Sequence, residues 1–130
     1  MLKANETYAG QDEIDAALAA YLRGFIRAIQ TKNFNELAPT LVYESPIYYE
    51  QQNYILSDFS EELVSYEILS KWVDHDVCTL RVRENYLIDS PRSPLYMLTQ
   101  IAHYRLWKMD DGWRFYCFEE PVEVVQIIQQ

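Results

Sequence analysis

Between residues 12 and 32 the apolar positions Ile14, Ala17, Leu18, Tyr21, Leu22, Phe25, Ala28 and Ile29 recur at helical spacing, which predicts an amphipathic helix with one buried face. Asp12 and Glu13 suit the positive start of such a helix, and Lys32 suits its negative end. Residues 1–10 are polar and contain Gly10, so they read as a flexible lead-in to one domain over 11–130. Asn33 and Glu36 have the spacing of a capping box, ahead of a short second helix that Pro39 cuts off. Ser45-Pro46 opens a third helix, with Ser as N-cap and Pro where no N–H partner is needed. Ile47, Gln51, Tyr54 and Ile55 line one side of it to about Leu56, with Tyr48 beside them. Ser57 to Glu61 reads as a linker.

Beyond Glu62 the period changes to two, the mark of strands. Val64, Tyr66, Ile68 and Trp72 suggest a first strand, with a turn at Asp74-His75-Asp76. A second strand places Cys78, Leu80, Val82, Tyr86 and Ile88 on one face, against Thr79, Arg81, Arg83 and Asn85 on the other. Ser90 to Pro94 is a loop by composition, and Leu95 to Lys108 forms a third strand. Asp111-Gly112, between Trp107 and Trp113, is a hairpin signal. Trp113, Phe115 and Cys117 then alternate with Arg114, Tyr116 and Phe118 in a fourth strand that Pro121 is expected to end. The apolar tail Val122 to Ile128 is left to form an edge or to dock on a neighbour. Helices followed by hairpin-linked strands predict an α+β fold: helices packed on a four-stranded antiparallel meander, in strand order A-B-C-D.

Aligning the apolar faces gives a register. With Val82 opposite Ala102, Leu80 faces Tyr104, Cys78 faces Leu106, and Leu106 faces Cys117. The two cysteines then share a row two strands apart, about 9–10 Å at ~4.8 Å per strand. Disulfide bonding needs Cα atoms within about 7 Å, so two free, buried thiols and no disulfide are expected.

Charge narrows the partners. The 130 residues carry 20 acidic and 11 basic side chains, a net charge of −9, with no two Lys or Arg adjacent. Nucleic acid and anionic lipid surfaces need clustered cations, so neither is an expected partner. No apolar run approaches the ~20 residues that span a bilayer, and no signal-peptide core is evident, so the chain reads as soluble with no direct membrane insertion. Aromatic residues make up 15%, with 11 tyrosines, a composition suited to half-buried walls and interfaces.

Candidate chemistry is sparse. The register puts Glu84 on the helix-facing side between Val82 and Tyr86, opposite Gln100. A carboxylate on an apolar face is either a functional group with a raised pKa or a hydrogen-bonded structural one. Tyr48, Tyr66, Tyr86, Gln100 and Tyr104 are expected to line the same pocket, and no second acid is evident on that face. His75 falls in a turn and His103 on the polar alternation, so no metal site is expected. With three glycines and no nucleophile motif, neither a phosphate-cradling loop nor a cofactor is expected. On the opposite face Leu87, Ile101, Trp107, Tyr116 and Phe118 form an apolar surface expected to meet a second copy or a neighbouring domain.

Helical segments ending near residue 56, followed by a long-stranded meander with an Asp-Gly-Trp turn, resemble the nuclear transport factor 2-like superfamily. Ile29-Gln30-Thr31-Lys32-Asn33-Phe34, Ser45-Pro46-Ile47-Tyr48 through Gln51 and Tyr54-Ile55, and Glu84-Asn85-Tyr86-Leu87-Ile88 resemble the C-terminal extracytoplasmic domain of teicoplanin-resistance-associated (TcaA-type) membrane proteins of Gram-positive bacteria. The resemblance implies a cone-shaped fold with a pocket between helices and sheet, often dimeric. It also implies membrane tethering outside the cytoplasm if these residues come from a longer protein, and a cytoplasmic location otherwise. The superfamily holds isomerases, dehydratases, polyketide cyclases and non-catalytic binding modules. Without a catalytic motif, the expectation is a non-catalytic binding or assembly module. The alternative is a small-molecule enzyme or ligand-binding protein of the ketosteroid isomerase type, taking a small apolar ligand.

Overall fold

The computed structural model describes residues 2–130, with side chains described from Glu13 onward. Helix α1 spans Leu2–Thr31 and buries Ile14, Leu18, Tyr21, Leu22, Phe25, Ala28 and Ile29, the stripe its spacing predicts. Its start differs from expectation. The helix is continuous through the predicted lead-in, so Asp12 and Glu13 stand in its interior. Residues 2–11 hold no proline, and one glycine costs a helix only about 1 kcal/mol. Met1 lies outside the described residues. Lys32, just past the helix, is left-handed (φ 54), and its Nζ donates to the carbonyls of Ser57 and Phe59 at 2.5 and 2.9 Å. The segment entering the sheet is thereby clipped to the end of α1.

The expected second helix is two 3-10 turns, Phe34–Glu36 and Ala38–Thr40. Asn33 caps the first by accepting from the Asn35 N–H, and Pro39 leaves too few residues for an α-helix to propagate. Helix α2 (Pro46–Tyr54) begins as expected, the Ser45 hydroxyl accepting from the Tyr48 N–H at 3.3 Å. These turns press against α1 at Gly24. A Cβ there would lie 2.7 Å from the Glu36 carbonyl oxygen and 3.3 Å from Leu37 Cα. Helix propensity alone would make Gly24→Ala stabilising by about 1 kcal/mol. The clash with fixed backbone is expected to reverse the sign, to a loss of about 1–2 kcal/mol, which urea denaturation of the variant would read.

Strands β1 (Ser60–Asp74), β2 (Val77–Ser90), β3 (Ser93–Met109) and β4 (Gly112–Gln129) form one antiparallel sheet in the order 1-2-3-4. The fold is α+β, with helices packed on one face of this meander. Between β2 and β3 the expected register holds: Val82 faces Ala102, Leu80 faces Tyr104, Cys78 faces Leu106, and Glu84 faces Gln100. Every inward position of β2 from Cys78 to Ile88 is buried.

The outer strands depart from simple alternation. Four register shifts separate β3 from β4, each adding one residue to β4. A bulge of this kind bends a strand and locally reverses which side chains face inward. Leu106 therefore faces Phe115, and Cys117 lies opposite Arg105, half-buried rather than buried. Both thiols are free; burial pushes that of Cys78 up to about 11. Phe118, expected on the outer face, turns inward with its ring 5.3 Å from that of Tyr104. The β3–β4 turn is Asp110-Asp111, one residue earlier than expected, with Gly112 (φ 125) opening β4. β4 also runs through Pro121, since proline on an edge strand beside a register shift forfeits no ladder bond. The tail is thus a continuation of β4, with Val124, Val125, Ile127 and Ile128 exposed.

Two shifts in β1, between Leu63 and Ser65 and between Ile68 and Ser70, act likewise. Val64 and Tyr66 are exposed, Trp72 is 63% exposed, and Lys71 instead reaches α1 to pair with Asp15 at 2.5 Å. β1 begins earlier than expected, which turns Glu61 from a linker residue into a buried strand residue.

Candidate functional site

The space between helices and sheet is largely filled by rings. Tyr21 of α1 stacks on Phe115 of β4 with centroids 4.1 Å apart at 15°, and Tyr104 meets both edge-on at 5.3 and 5.0 Å. Phe25 lies 6.1 Å from Tyr86 and 5.7 Å from Tyr54. Offset-stacked and edge-to-face arrangements are the favourable ones for such rings.

Within this apolar packing sits Glu84, which is 0% exposed. Strict alternation in β2 aims it inward, and three neighbours satisfy it. Oε1 accepts from the Tyr86 hydroxyl at 2.9 Å and from Gln100 Nε2 at 3.0 Å; Oε2 accepts from the Tyr104 hydroxyl at 2.5 Å. Burial raises the Glu84 carboxyl above its ordinary range, against three hydrogen bonds that favour the ionised form. The Tyr86 and Tyr104 hydroxyls are raised in turn, first by burial and then by the Glu84 charge.

Of the residues expected around Glu84, the structure brings Tyr86, Gln100 and Tyr104 into contact with it. Tyr48 is not there. It packs edge-on against Phe34, Tyr43 and Tyr49 on the far side of α2, because the buried stripe of that helix is Ile47 and Gln51. Tyr66 pairs with Glu84 across the β1–β2 ladder, but its side chain, on the bulged edge strand, is 40% exposed. On the outer face Trp107 stacks on Tyr116 at 3.7 Å, both half-buried, as is Leu87. Ile101 is only 6% exposed, so that face is less bare than its sequence suggests.

Two polar groups of the site, Gln51 and Glu61, were not expected there from the sequence. Gln51 of α2 is 6% exposed and donates from Nε2 to the Tyr21 hydroxyl at 2.6 Å. Glu61 of β1 is 3% exposed, and its Oε1 accepts a hydrogen bond from the Tyr54 hydroxyl. Glu61 is thus a second inward acid, supplied by β1. Burial, reinforced by the Glu84 charge and opposed by Tyr54 and Lys32, pushes its carboxyl up to about 7. A cavity of about 270 Å³ opens here, lined by Phe25, Glu50, Gln51, Tyr54, Glu61, Gln100, Phe118 and Val122. Glu61 and Gln100 line it, while Glu84 lies behind Gln100. The signal that could have found Glu61 is its place two residues before Leu63, on the inward phase of the first strand.

An acid whose pKa is higher folded than unfolded destabilises the fold when it ionises. The contribution of Glu61 is fully present below its unfolded pKa of about 4.5 and is lost as pH rises through about 7. Glu61→Gln is therefore expected to flatten the fall in stability between about pH 5 and about pH 8, gaining on the parent protein at the upper end. Urea midpoints for both proteins across that range provide the measurement.

Among the described residues there is no group of three or more side chains suited to a metal ion, and no helix is long and apolar enough to cross a membrane. No curated protein matches the sequence. Solved structures share the fold. The intermembrane space region of chloroplast protein ARC6 is 9% identical, with a TM-score of 0.66 over 90% of this chain and 95% of its own. A proposed scytalone dehydratase from Novosphingobium aromaticivorans is 14% identical, with a TM-score of 0.65 over 100% of this chain and 92% of its own. A proposed dehydratase of the NTF2-like family from Streptomyces avermitilis is 14% identical, with a TM-score of 0.53 over 81% and 89%. By sequence, residues 10–107 match the family described as the TcaA protein NTF2-like domain. With three quarters of its length inside that match and the helix-on-meander architecture in place, the chain belongs to the family of TcaA NTF2-like domains.

Proposed function

We propose that this domain is a non-catalytic binding and assembly module of a bacterial cell-envelope or regulatory protein, held outside the cytoplasm if it is part of a longer, membrane-tethered chain. The observation that carries this reading is the closure of Glu84. Its two carboxylate oxygens are engaged by three donors of the fold itself, and it is 0% exposed. A general base must reach the proton it removes, directly or through one water. Here that space is occupied by Tyr86, Tyr104 and Gln100, and the Tyr21–Phe115 stack fills the interior beyond them. Assembly would use the outer sheet face, where Trp107 and Tyr116 expose apolar surface at the end that also carries the outward Trp72, and Leu87 does so at the other end.

The competing reading is an isomerase of the ketosteroid type, in which two inward carboxyl groups, here Glu61 and Glu84, work as base and donor. An unconjugated steroid enone separates the two, because its isomerisation is visible in the ultraviolet. No turnover above buffer is expected from the protein or from Glu84→Gln. Turnover that disappears in Glu61→Gln or in Glu84→Gln would overturn the non-catalytic reading. Sedimentation velocity tests the assembly part. Tyr116→Arg is expected to weaken any self-association while leaving the thermal midpoint nearly unchanged, since the side chain is not part of the core.

A further inference from the structure

The cavity at the mouth of the fold has an unusual hydrogen-bond inventory. Its Tyr54 hydroxyl is committed to Glu61, and the amide nitrogens of Gln51 and Gln100 are turned to Tyr21 and to Glu84. What remains without a described partner is weighted toward acceptors: the second carboxylate oxygen of Glu61, the amide oxygens of Gln51 and Gln100, and the Glu50 carboxylate, against one further N–H on each of the two amides. Glu61 and Gln51 are more than nine-tenths buried, so their oxygens are held in place, while Gln100 is half-buried and Glu50 stands exposed at the rim. No Lys, Arg or His lines the cavity. Its remaining walls are the rings of Phe25, Tyr54 and Phe118 and the side chain of Val122. At about 270 Å³ it suits a small molecule.

Resting on the reading of the domain as a binding module, we infer that this cavity is a recognition site for a small organic ammonium. The positively charged head donates to Glu61, Gln51 and Gln100, and the apolar body lies among Phe25, Tyr54 and Phe118. A neutral apolar ligand would leave the acceptors buried and unpaired, at a cost for each group. An anion would face Glu50 and Glu61 directly. An ammonium satisfies several acceptors at once, and aromatic faces add cation–π attraction. The groups acting on Glu61 are the Tyr54 hydroxyl of α2, which donates to it, and the charges of Glu84 on β2 and Lys32 at the end of α1. Lys32 is held by two backbone carbonyls and does not line the cavity, so a ligand cation would be the positive charge inside it. Because the ammonium needs Glu61 ionised, binding strengthens as pH rises through about 7.

Calorimetric titration with benzylammonium chloride, compared with benzyl alcohol of nearly the same shape, tests the inference on the intact chain. The expected result is measurable binding of the ammonium, at least tenfold weaker binding of the alcohol, and at least tenfold loss in Glu61→Gln. The exposed Glu67, on the outer part of β1, supplies the control; Glu67→Gln is expected to bind as the parent does. Equal binding of the alcohol overturns the inference, as does equal loss in Glu67→Gln, which would mark general attraction to an acidic surface. Absence of binding at tens of millimolar, with the fold verified by circular dichroism, overturns it as well. Steroid turnover would sink the non-catalytic reading alone, and loss of ammonium selectivity would sink this inference alone.

Discussion

Replacing Glu84 by leucine is expected to lower stability by about 3 kcal/mol or more, despite the apolar surroundings. The substitution orphans the hydroxyls of Tyr86 and Tyr104 and the Gln100 amide. A buried donor left unsatisfied costs roughly 1–3 kcal/mol, and both tyrosine side chains are about 2% exposed, too buried to turn to water. Removing a desolvated carboxylate returns part of that cost, and buried polar groups are sometimes replaced by apolar ones at a gain. Here the gain is limited because one partner is deleted and three remain. Glu84→Gln keeps one acceptor oxygen and is expected to cost less than half as much. Guanidinium denaturation of both variants gives the comparison. A leucine variant as stable as the parent would show that the tyrosines repack, and that the polar cluster specifies the fold without stabilising it.

Phe115→Ala is expected to cost about 3–5 kcal/mol, the range for deleting a buried aromatic ring. Phe115 is 0% exposed and lies where three parts of the chain meet. It stacks on Tyr21 of α1 and meets Tyr104 of β3 edge-on, while its carbonyl accepts from the Val42 N–H at 2.8 Å. The rings around it are pinned by hydroxyl hydrogen bonds, Tyr21 to Gln51 and Tyr104 to Glu84, so they cannot slide inward to close the cavity. The value should therefore fall in the upper part of the range. A thermal midpoint only slightly changed would mean that the layer between α1 and the sheet collapses more freely than those bonds allow.

How much of this was legible in the sequence differs sharply between strands. β2 is central and regular, so its period-two pattern carried the inward face, the register with β3 and the position of Glu84. β4 also alternates in places but carries four bulges, and each reverses the meaning of the alternation. Cys117 and Phe118 were misplaced for that reason, and Trp72 for the same reason in β1, whereas Tyr66 keeps its place opposite Glu84 and is exposed because it lies on the edge strand. The site was half legible. Tyr86, Gln100 and Tyr104 follow from the register, but Tyr21 and Gln51 sit in helical stripes where any large residue reads as core. Glu61 was hidden by a neighbour of its own kind, since Glu61-Glu62 looks like a solvated pair. Only the strand phase shows that the first points inward and the second out.

The four extra residues of β4 bear on how this family can vary. A strand that already departs from its neighbour by single residues has places where one more or one fewer is absorbed by a change of bulge, with the inward set on either side preserved. β2, with no such slack against β3 from Val77 to Ile88, would turn Glu84 and every buried neighbour to the wrong face after a single deletion. Length differences among relatives are thus expected to gather in the last strand, and the spacing from Cys78 to Ile88 to be held fixed.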